Sequence, residues 1–340
     1  MSPVSLDHPP LISVVAPCHN EEPNLEPLYW ALSSALRSTE WTYELVLVDD
    51  GSTDGTWSVI SRIAQNDSRV HGVRLARSFG QQAAILAGLK HARGDAVVTM
   101  DADLQHPPAL IPVMARHWLA GKPVVLTRRS DSPDVGRFKR LTSVLFYRIF
   151  SGLTGVSMPA GTGEFRLIDR RVVDYLLELR EGEYFLRGLI GWTGFTSITV
   201  PFHAAPRLAG QTKYSLRKML RLAVSGVTAF SLTPLRIGTV LGLVTACLAF
   251  LELGYVLLQV TRGHTVPGWA SEVGVTTLLF AVQFILLGLI GEYLGRVYLV
   301  AKSRPPFLIE ATTDASGQRR SGSSDRRKSR WERRRRPMSP

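Results

Sequence analysis

The chain has 340 residues, with 45% hydrophobic and 20% charged side chains, 29 glycines and two cysteines. That is about two domains' worth of chain, and the composition excludes a collagen, a disulfide scaffold and a wholly disordered polypeptide. The net charge of +12 is lopsided: residues 302–340 hold twelve Lys and Arg against four acidic residues, +8 of the total, so no basic nucleic-acid-binding core is expected.

Residues 1–10 (MSPVSLDHPP) lack the basic and apolar regions of a secretory signal, and the N-terminus is expected to stay cytosolic. Cys18 falls in a strand-like run and Cys247 in an apolar one, so neither a disulfide nor a cysteine metal site is expected.

From residue 11 the chain alternates between two periods. Runs rich in β-branched residues at 11–16, 44–48, 70–75, 95–100 and 123–127 are separated by stretches at 24–37, 54–65, 80–92 and 107–119 whose apolar residues recur at three and four. Strand, helix, strand repeated four times predicts a parallel sheet covered on both faces. Ligands of such sheets bind beyond the carboxyl ends of the strands. Those ends read Pro17-Cys18-His19-Asn20-Glu21-Glu22, Asp49-Asp50-Gly51-Ser52 and Asp101-Ala102-Asp103-Leu104-Gln105.

Asp101, Asp103 and Gln105 place two carboxylates and an amide oxygen around one turn, a hard-oxygen set suited to Mg²⁺ or Mn²⁺ shared with a diphosphate. Gly51, directly after Asp49 and Asp50, would let backbone approach a ligand, while Ser52 or Thr53 would cap the helix starting near Asp54. A dinucleotide glycine fingerprint, a GxxxxGK[ST] loop and a GxSxG elbow are all absent, which removes the main support for hydride transfer and P-loop chemistry. His19, His106 and His117 have no partners at metal spacing and are expected on turns or the surface. A second, basic constellation comprises Arg128, Arg129, Lys139, Arg140, Arg166, Arg207 and Lys213. It leads from the sheet toward the C-terminal third and predicts two phosphate sites, one for a nucleotide and one for a lipid phosphate.

Residues 210–231 interleave Lys213, Arg217, Lys218 and Arg221 with apolar residues, as a helix lying on a membrane surface would. Residues 237–260 contain one charge, Glu252, and residues 273–301 contain Glu292 and Arg296. A bilayer core of ~30 Å needs ~20 helical residues, so each is long enough to span. The positive-inside rule puts both termini in the cytosol. Glu252 is costly in a span and is expected to face another helix or subunit, while Glu292 and Arg296 are expected to pair. The predicted organisation is an extension at 1–10, an α/β domain at 11–209, a juxtamembrane amphipathic region at 210–235 and a two-span domain at 236–301. A basic, disordered cytosolic tail follows at 302–340, and ending the chain after Pro306 is expected to leave activity intact.

Six motifs in order carry a resemblance: Pro17-Cys-His-Asn-Glu21, Val48-Asp-Asp-Gly-Ser-Thr-Asp-Gly55, Asp101-Ala-Asp-Leu-Gln-His-Pro-Pro108, Glu164-Phe-Arg-Leu-Ile-Asp-Arg170, Phe185-Leu-Arg-Gly-Leu-Ile-Gly-Trp192 and Arg207-Leu-Ala-Gly-Gln-Thr-Lys-Tyr214. Together with Gly291-Glu-Tyr-Leu-Gly-Arg-Val-Tyr298 they resemble the family 2 polyprenyl-phosphate glycosyltransferases, in the two-span bactoprenol glucosyltransferase and dolichol-phosphate mannosyltransferase branch. The resemblance covers residues 11–308. It implies a Rossmann-like GT-A catalytic domain with a mostly parallel sheet, acting as a hexosyltransferase. Pro17, Glu21, Asp49 and Asp50 would lie near the nucleotide, and Asp101, Asp103 and Gln105 at the metal and sugar diphosphate. Arg128 or Arg129, Arg207 and Lys213 would bind phosphates, and Arg140 and Arg166 the acceptor phosphate. Two departures stand out: Gly161 replaces the first acid of an Asp-x-Gly-Asp-Phe-Arg pattern, and Glu181-Gly-Glu183 replaces a common arginine.

The implied donor is UDP-glucose, with GDP-mannose as the alternative, and the implied acceptor is undecaprenyl or dolichyl phosphate in a membrane. A homo-oligomer is also implied. A phosphate monoester with a second pKa of ~6 is largely dianionic at neutral pH, so no strong general base is needed and direct displacement with inversion is expected. A processive polysaccharide synthase and a non-catalytic scaffold are the competing classes. Arg327-Lys-Ser-Arg-Trp331 matches the synthase string but falls in the tail.

Overall fold

The computed structural model describes residues 8–37, 39–129, 162–179, 184–202, 233–262 and 268–313. Arg140, Arg207, Lys213, the amphipathic stretch at 210–231, both departures at Gly161 and Glu181 to Glu183, and the Arg327 to Trp331 string lie outside them.

The alternation of periods gives the expected elements: β1 (Leu11–Cys18), α1 (Glu22–Arg37), β2 (Thr42–Asp49), α2 (Thr56–Asn66), β3 (Val70–Leu75), α3 (Gln81–His91), β4 (Ala96–Thr99), α4 (Ile111–Leu119) and β5 (Val124–Arg129). They continue as β6 (Thr162–Asp169), α5 (Arg170–Glu178), α6 (Leu186–Trp192), β7 (Ser197–Phe202), two long helices α7 (Thr233–Thr261) and α8 (Trp269–Ala301), and β8 (Ile309–Thr312). The eight strands form one sheet in the order β7-β5-β6-β4-β1-β2-β3-β8.

Burial on both faces explains the apolar strands. On β1 and β2, Ile12, Val14, Ala16, Leu45 and Leu47 face one core with α1 and α4. Val15, Val46 and Val48 face the other with α3, α5 and α6. In α1, Leu25, Leu28, Leu32 and Leu36 recur at helical spacing and are all buried. The sheet is mixed, because β6 runs antiparallel to β4 and β5, and β8 runs antiparallel to β3. Asp169, at the end of β6, accepts from Trp118 Nε1 at 2.9 Å and from the Arg171 backbone N–H at 2.9 Å, tying α4 to the start of α5.

Helices α7 and α8 are long and apolar enough to cross a membrane, with windows Leu235–Tyr255 and Leu278–Ala301 of mean hydropathy 1.9 that are almost entirely exposed. Glu292 and Arg296 pair as expected, Nη2 to Oε1 at 3.0 Å. Glu252 is exposed, and among the described residues no helix covers it.

The chain after α8 corrects the expected tail. Phe307 is buried in the core beside α3, the Leu308 carbonyl accepts from Ala76 N–H at 2.9 Å, and residues 309–312 form β8. Disorder is therefore wrong for this stretch, because an apolar Phe-Leu-Ile run can cover an otherwise open sheet edge. A chain ended after Pro306 would lose that strand. The two edge strands, β7 and β8, are the ones that precede and follow the helical pair. β7 is parallel to β5 and ends at Phe202, and β8, which follows α8, begins at Ile309 opposite Leu75, so the end of β7 and the start of β8 both lie at the carboxyl-end side of the parallel strands.

Helix α3 lies on the sheet through Gly88, where a Cβ would stand 2.2 Å from Val15 Cγ1. Gly88→Val is accordingly expected to destabilise the protein by about 3 kcal/mol, read as a lowered unfolding midpoint of the detergent-solubilised full chain.

Candidate active site

Strand order reverses around β1: β2 and β3 lie on one side and β4 on the other, which opens a crevice at the carboxyl ends of β1 and β4. The crevice is an open cleft of ≈ 370 Å³ lined by Pro17, Cys18, His19, Glu21, Asp50, Ser78, Gly80, Gln81, Asp101, Ala102 and Asp103. The three acidic strand ends thus meet, as the sequence predicted, though their roles differ.

Asp50 organises the cleft wall. Its carboxylate accepts from Phe79 N–H at 2.7 Å, Ser78 Oγ at 2.8 Å and Gly80 N–H at 3.0 Å, fixing the loop that starts α3. Gly51 has φ +64, and a Cβ there would stand 2.4 Å from the Arg77 carbonyl carbon. The backbone that approaches Gly51 is therefore that of this loop and not a ligand. Asp49, expected at the nucleotide, is fully buried and turned away from the cleft. Its Oδ1 accepts from Ser52 N–H at 2.9 Å, and its Oδ2 lies 3.4 Å from Arg74 Nε. Ser52 and Thr53 do not cap α2: Ser52 Oγ accepts from Asn20 N–H, Thr53 donates to Asn20 Oδ1, and Asp54 Oδ1 accepts from Thr56 N–H at the helix start.

The turn after β4 carries the densest charge. Asp101 Oδ1 accepts from Gln81 Nε2 at 2.7 Å, and Asp103 Oδ1 accepts from Gln105 N–H at 3.1 Å. Leu104 between them has φ +62, an uncommon conformation for a branched residue that keeps the turn tight. Burial, reinforced by Asp103, pushes the Asp101 carboxyl up to about 6. A cation between two such carboxylates would remove that penalty, so the donor set fits a divalent ion. Gln105 engages the turn through its backbone, and its side chain is not among those lining the cleft.

His106 was expected as an incidental turn residue; it is nine-tenths buried and holds this turn. Its Nδ1 accepts from Asp101 N–H at 3.0 Å, while the ring stacks on Phe165 at 5.0 Å and meets Phe202 edge-on at 5.8 Å. Burial pushes its pKa down to about 4, so the ring is neutral and free to accept. No spacing rule reveals this role, because Phe165 and Phe202 arrive from distant strands. Gln81 was missed as well, although Phe79-Gly80 before a predicted helix marks the place where a helix start meets the cleft.

Arg166 on β6, expected at the acceptor phosphate, is only 1% exposed and opposes Thr99 of β4. It pairs with Glu164, which also accepts from Gln82 Nε2 at 3.2 Å and Arg187 Nη2 at 3.4 Å. Burial and Arg187 push its pKa down to about 9, and Asp101 opposes that shift, so Arg166 remains a cation that acts on Asp101 through the field. It is not among the residues that line the cleft. Arg128 and Arg129 are exposed at the end of β5, outside the cleft lining, and the charge of Arg129 reaches His106. Burial, with Glu21 and Asp49 nearby, pushes the Cys18 thiol far up and leaves it inert.

A mostly parallel sheet with this acidic turn at its switch point defines a GT-A glycosyltransferase fold. Residues 13–177 match glycosyl transferase family 2, and residues 233–297 match the GtrB C-terminal hairpin. The chain is 39% identical over 308 residues to the uncharacterized glycosyltransferase YkcC of Bacillus subtilis, covering 90% of this chain and 95% of that protein. It is 37% identical over 300 residues to the prophage bactoprenol glucosyl transferase homolog of Escherichia coli, 88% of this chain and 98% of that one. It is also 36% identical over 301 residues to the bactoprenol glucosyl transferase of Shigella phage SfX, with 88% and 99% covered. The chain belongs to glycosyl transferase family 2 and is a transferase.

His106→Phe keeps the stacking ring but leaves the Asp101 N–H without an acceptor, at a cost of about 1–3 kcal/mol. Sugar transfer is expected to fall about tenfold or more, and His106→Asn, whose amide oxygen accepts, should recover part of it; kcat measured on both variants decides.

Proposed function

We propose that this protein transfers a hexose from a nucleoside diphosphate sugar, UDP-glucose in preference to GDP-mannose, to the phosphate of a polyprenyl lipid. The observation that carries the reading is the Asp101 and Asp103 turn in a cleft whose sheet is joined, through its edge strand β8, to the apolar helical pair. The names of the bactoprenol glucosyl transferase relatives support the lipid acceptor and the glucosyl group. A polyprenyl chain stays in the bilayer with its phosphate at headgroup level, and a helical pair joined to the carboxyl-end side of the sheet would hold the cleft there.

Asp101 and Asp103 would hold a divalent cation, Mg²⁺ or Mn²⁺, which when bound neutralises the donor diphosphate. Gln81 fixes Asp101 Oδ1, His106 fixes the Asp101 backbone, and Asp50 fixes the loop opposite, so the diphosphate meets groups already in place. Arg166, buried behind the turn, offsets the acidic field without touching the substrate. The acceptor phosphate is itself the nucleophile: its oxygen forms the bond to the anomeric carbon as the bond to the nucleoside diphosphate breaks, with inversion. Arg140, Arg207 and Lys213 are assigned to the phosphates on sequence grounds. The catalytic domain and both termini are assigned to the cytoplasmic side, and the exposed Glu252 to a contact with another helix or subunit.

Membranes holding polyprenyl phosphate and radiolabelled UDP-glucose or GDP-mannose are expected to yield one lipid-extractable product, lost with Asp103→Ala and with EDTA. A growing water-soluble polymer would instead identify a processive synthase, and a product of retained anomeric configuration would exclude the direct displacement.

Cation affinity should depend on pH in one direction. With the Asp101 carboxyl raised to about 6, a proton competes with the ion below that value and not above it. Mn²⁺ binding followed by electron paramagnetic resonance is expected to be about tenfold weaker at pH 5 than at pH 7.5.

A further inference from the structure

The strand after the helical pair reaches toward the cleft through two charged side chains. Across the edge of the sheet, Asp49 on β2 stands beside Arg74 on β3, and Arg74 beside Ala311 on β8. The β3–β8 register shifts between Arg74 and Leu75, since Leu75 opposes Ile309 while Arg74 opposes Ala311. Glu310 is the extra residue of that bulge, and bulges re-aim a side chain. Its Oε2 lies 3.4 Å from Arg74 Nε, which is also 3.4 Å from Asp49 Oδ2. Asp49 is 0% exposed, whereas Glu310 is about half exposed, so the arginine joins a surface acid to a buried one.

The buried acid in turn shapes the cleft. Asp49 Oδ1 holds Ser52 N–H, Ser52 Oγ accepts from Asn20 N–H at 2.9 Å, and Asn20 Oδ1 accepts from Thr53 N–H at 2.9 Å. Asn20 itself sits at φ 57, a conformation that needs such support. Its chain neighbours His19 and Glu21 both line the cleft.

We propose that Arg74 and Glu310 are positioning residues for the sugar donor, through which the strand following the helical pair holds Asp49 and the His19 to Glu21 wall of the nucleotide cleft. The proposal rests on the nucleotide-sugar reading above. It makes residues 307–313 part of the donor site. Neither residue touches the donor; an exposed pair alone contributes little, and the effect comes from the charge of Asp49, which loses its partner when Arg74 is replaced.

The test uses the full chain in lipid nanodiscs, with UDP and GDP binding measured by calorimetry and donor KM and kcat measured by transfer. Arg74→Gln is expected to weaken nucleotide binding and raise donor KM about tenfold, with kcat within about twofold. Arg74→Lys should restore most of the affinity, and Glu310→Gln should cost about threefold. A chain ended after Thr313 should bind as the full chain does, and one ended after Pro306 should bind poorly. Nucleotide affinities of Arg74→Gln and Glu310→Gln that stay within about twofold of the unsubstituted protein would overturn the proposal. So would losses that track the unfolding midpoint and are equal for Arg74→Gln and Arg74→Lys. If the unsubstituted protein binds neither UDP nor GDP, the nucleotide reading itself falls and this proposal with it.

Discussion

The reversal of strand order around β1 is the constraint from which the rest of the structure follows. Were β4 to continue outward from β3, Asp101 and Asp103 would stand three strands from Pro17 and Glu21, and no crevice would form. With β4 beside β1, the carboxyl ends of β1, β2 and β4 lie next to one another, and residues that follow these strands line one space. Asp50 and Gly51 then act as a pair: the carboxylate binds the loop before α3, and the missing Cβ lets that loop come close. The same loop delivers Gln81 to Asp101. One topological choice therefore sets both the cleft and the hydrogen bonds that stiffen it.

Electrostatically the cleft is built to be incomplete by itself. Burial, and then the nearness of Asp103, raises the Asp101 pKa, while Arg166 supplies a positive charge nearby and is not among the residues lining the cleft. Glu164 keeps that arginine in place together with Gln82 and Arg187. A cation held between the two carboxylates would relieve their repulsion.

The helical pair is not a pendant added to a finished domain. The segment that follows it becomes an outermost strand of the sheet, so the last stretch of described chain closes an edge that would otherwise expose unpaired backbone. Phe307 in the core and the bonds of Gly72 with Thr313, at 2.7 and 3.0 Å, anchor that return. This joins the apolar helices to the sheet through β8.

The sequence alone determined the alternation of strands and helices, both apolar helices, the acidic strand ends and the family, because each is a local pattern: period, run length or contiguous motif. Only the tertiary structure decided which carboxylate faces what. Asp49 and Asp50 are adjacent in sequence, yet pleating sends one into the protein toward Arg74 and the other to the cleft wall. Arg166 read as a phosphate ligand until its place on a central antiparallel strand buried it, and His106 read as incidental until Phe165 and Phe202 closed around it. Residues 309–312 looked like the start of a disordered tail because a four-residue strand has no periodicity to detect. Its pairing energy comes entirely from β3, more than two hundred residues earlier in the chain.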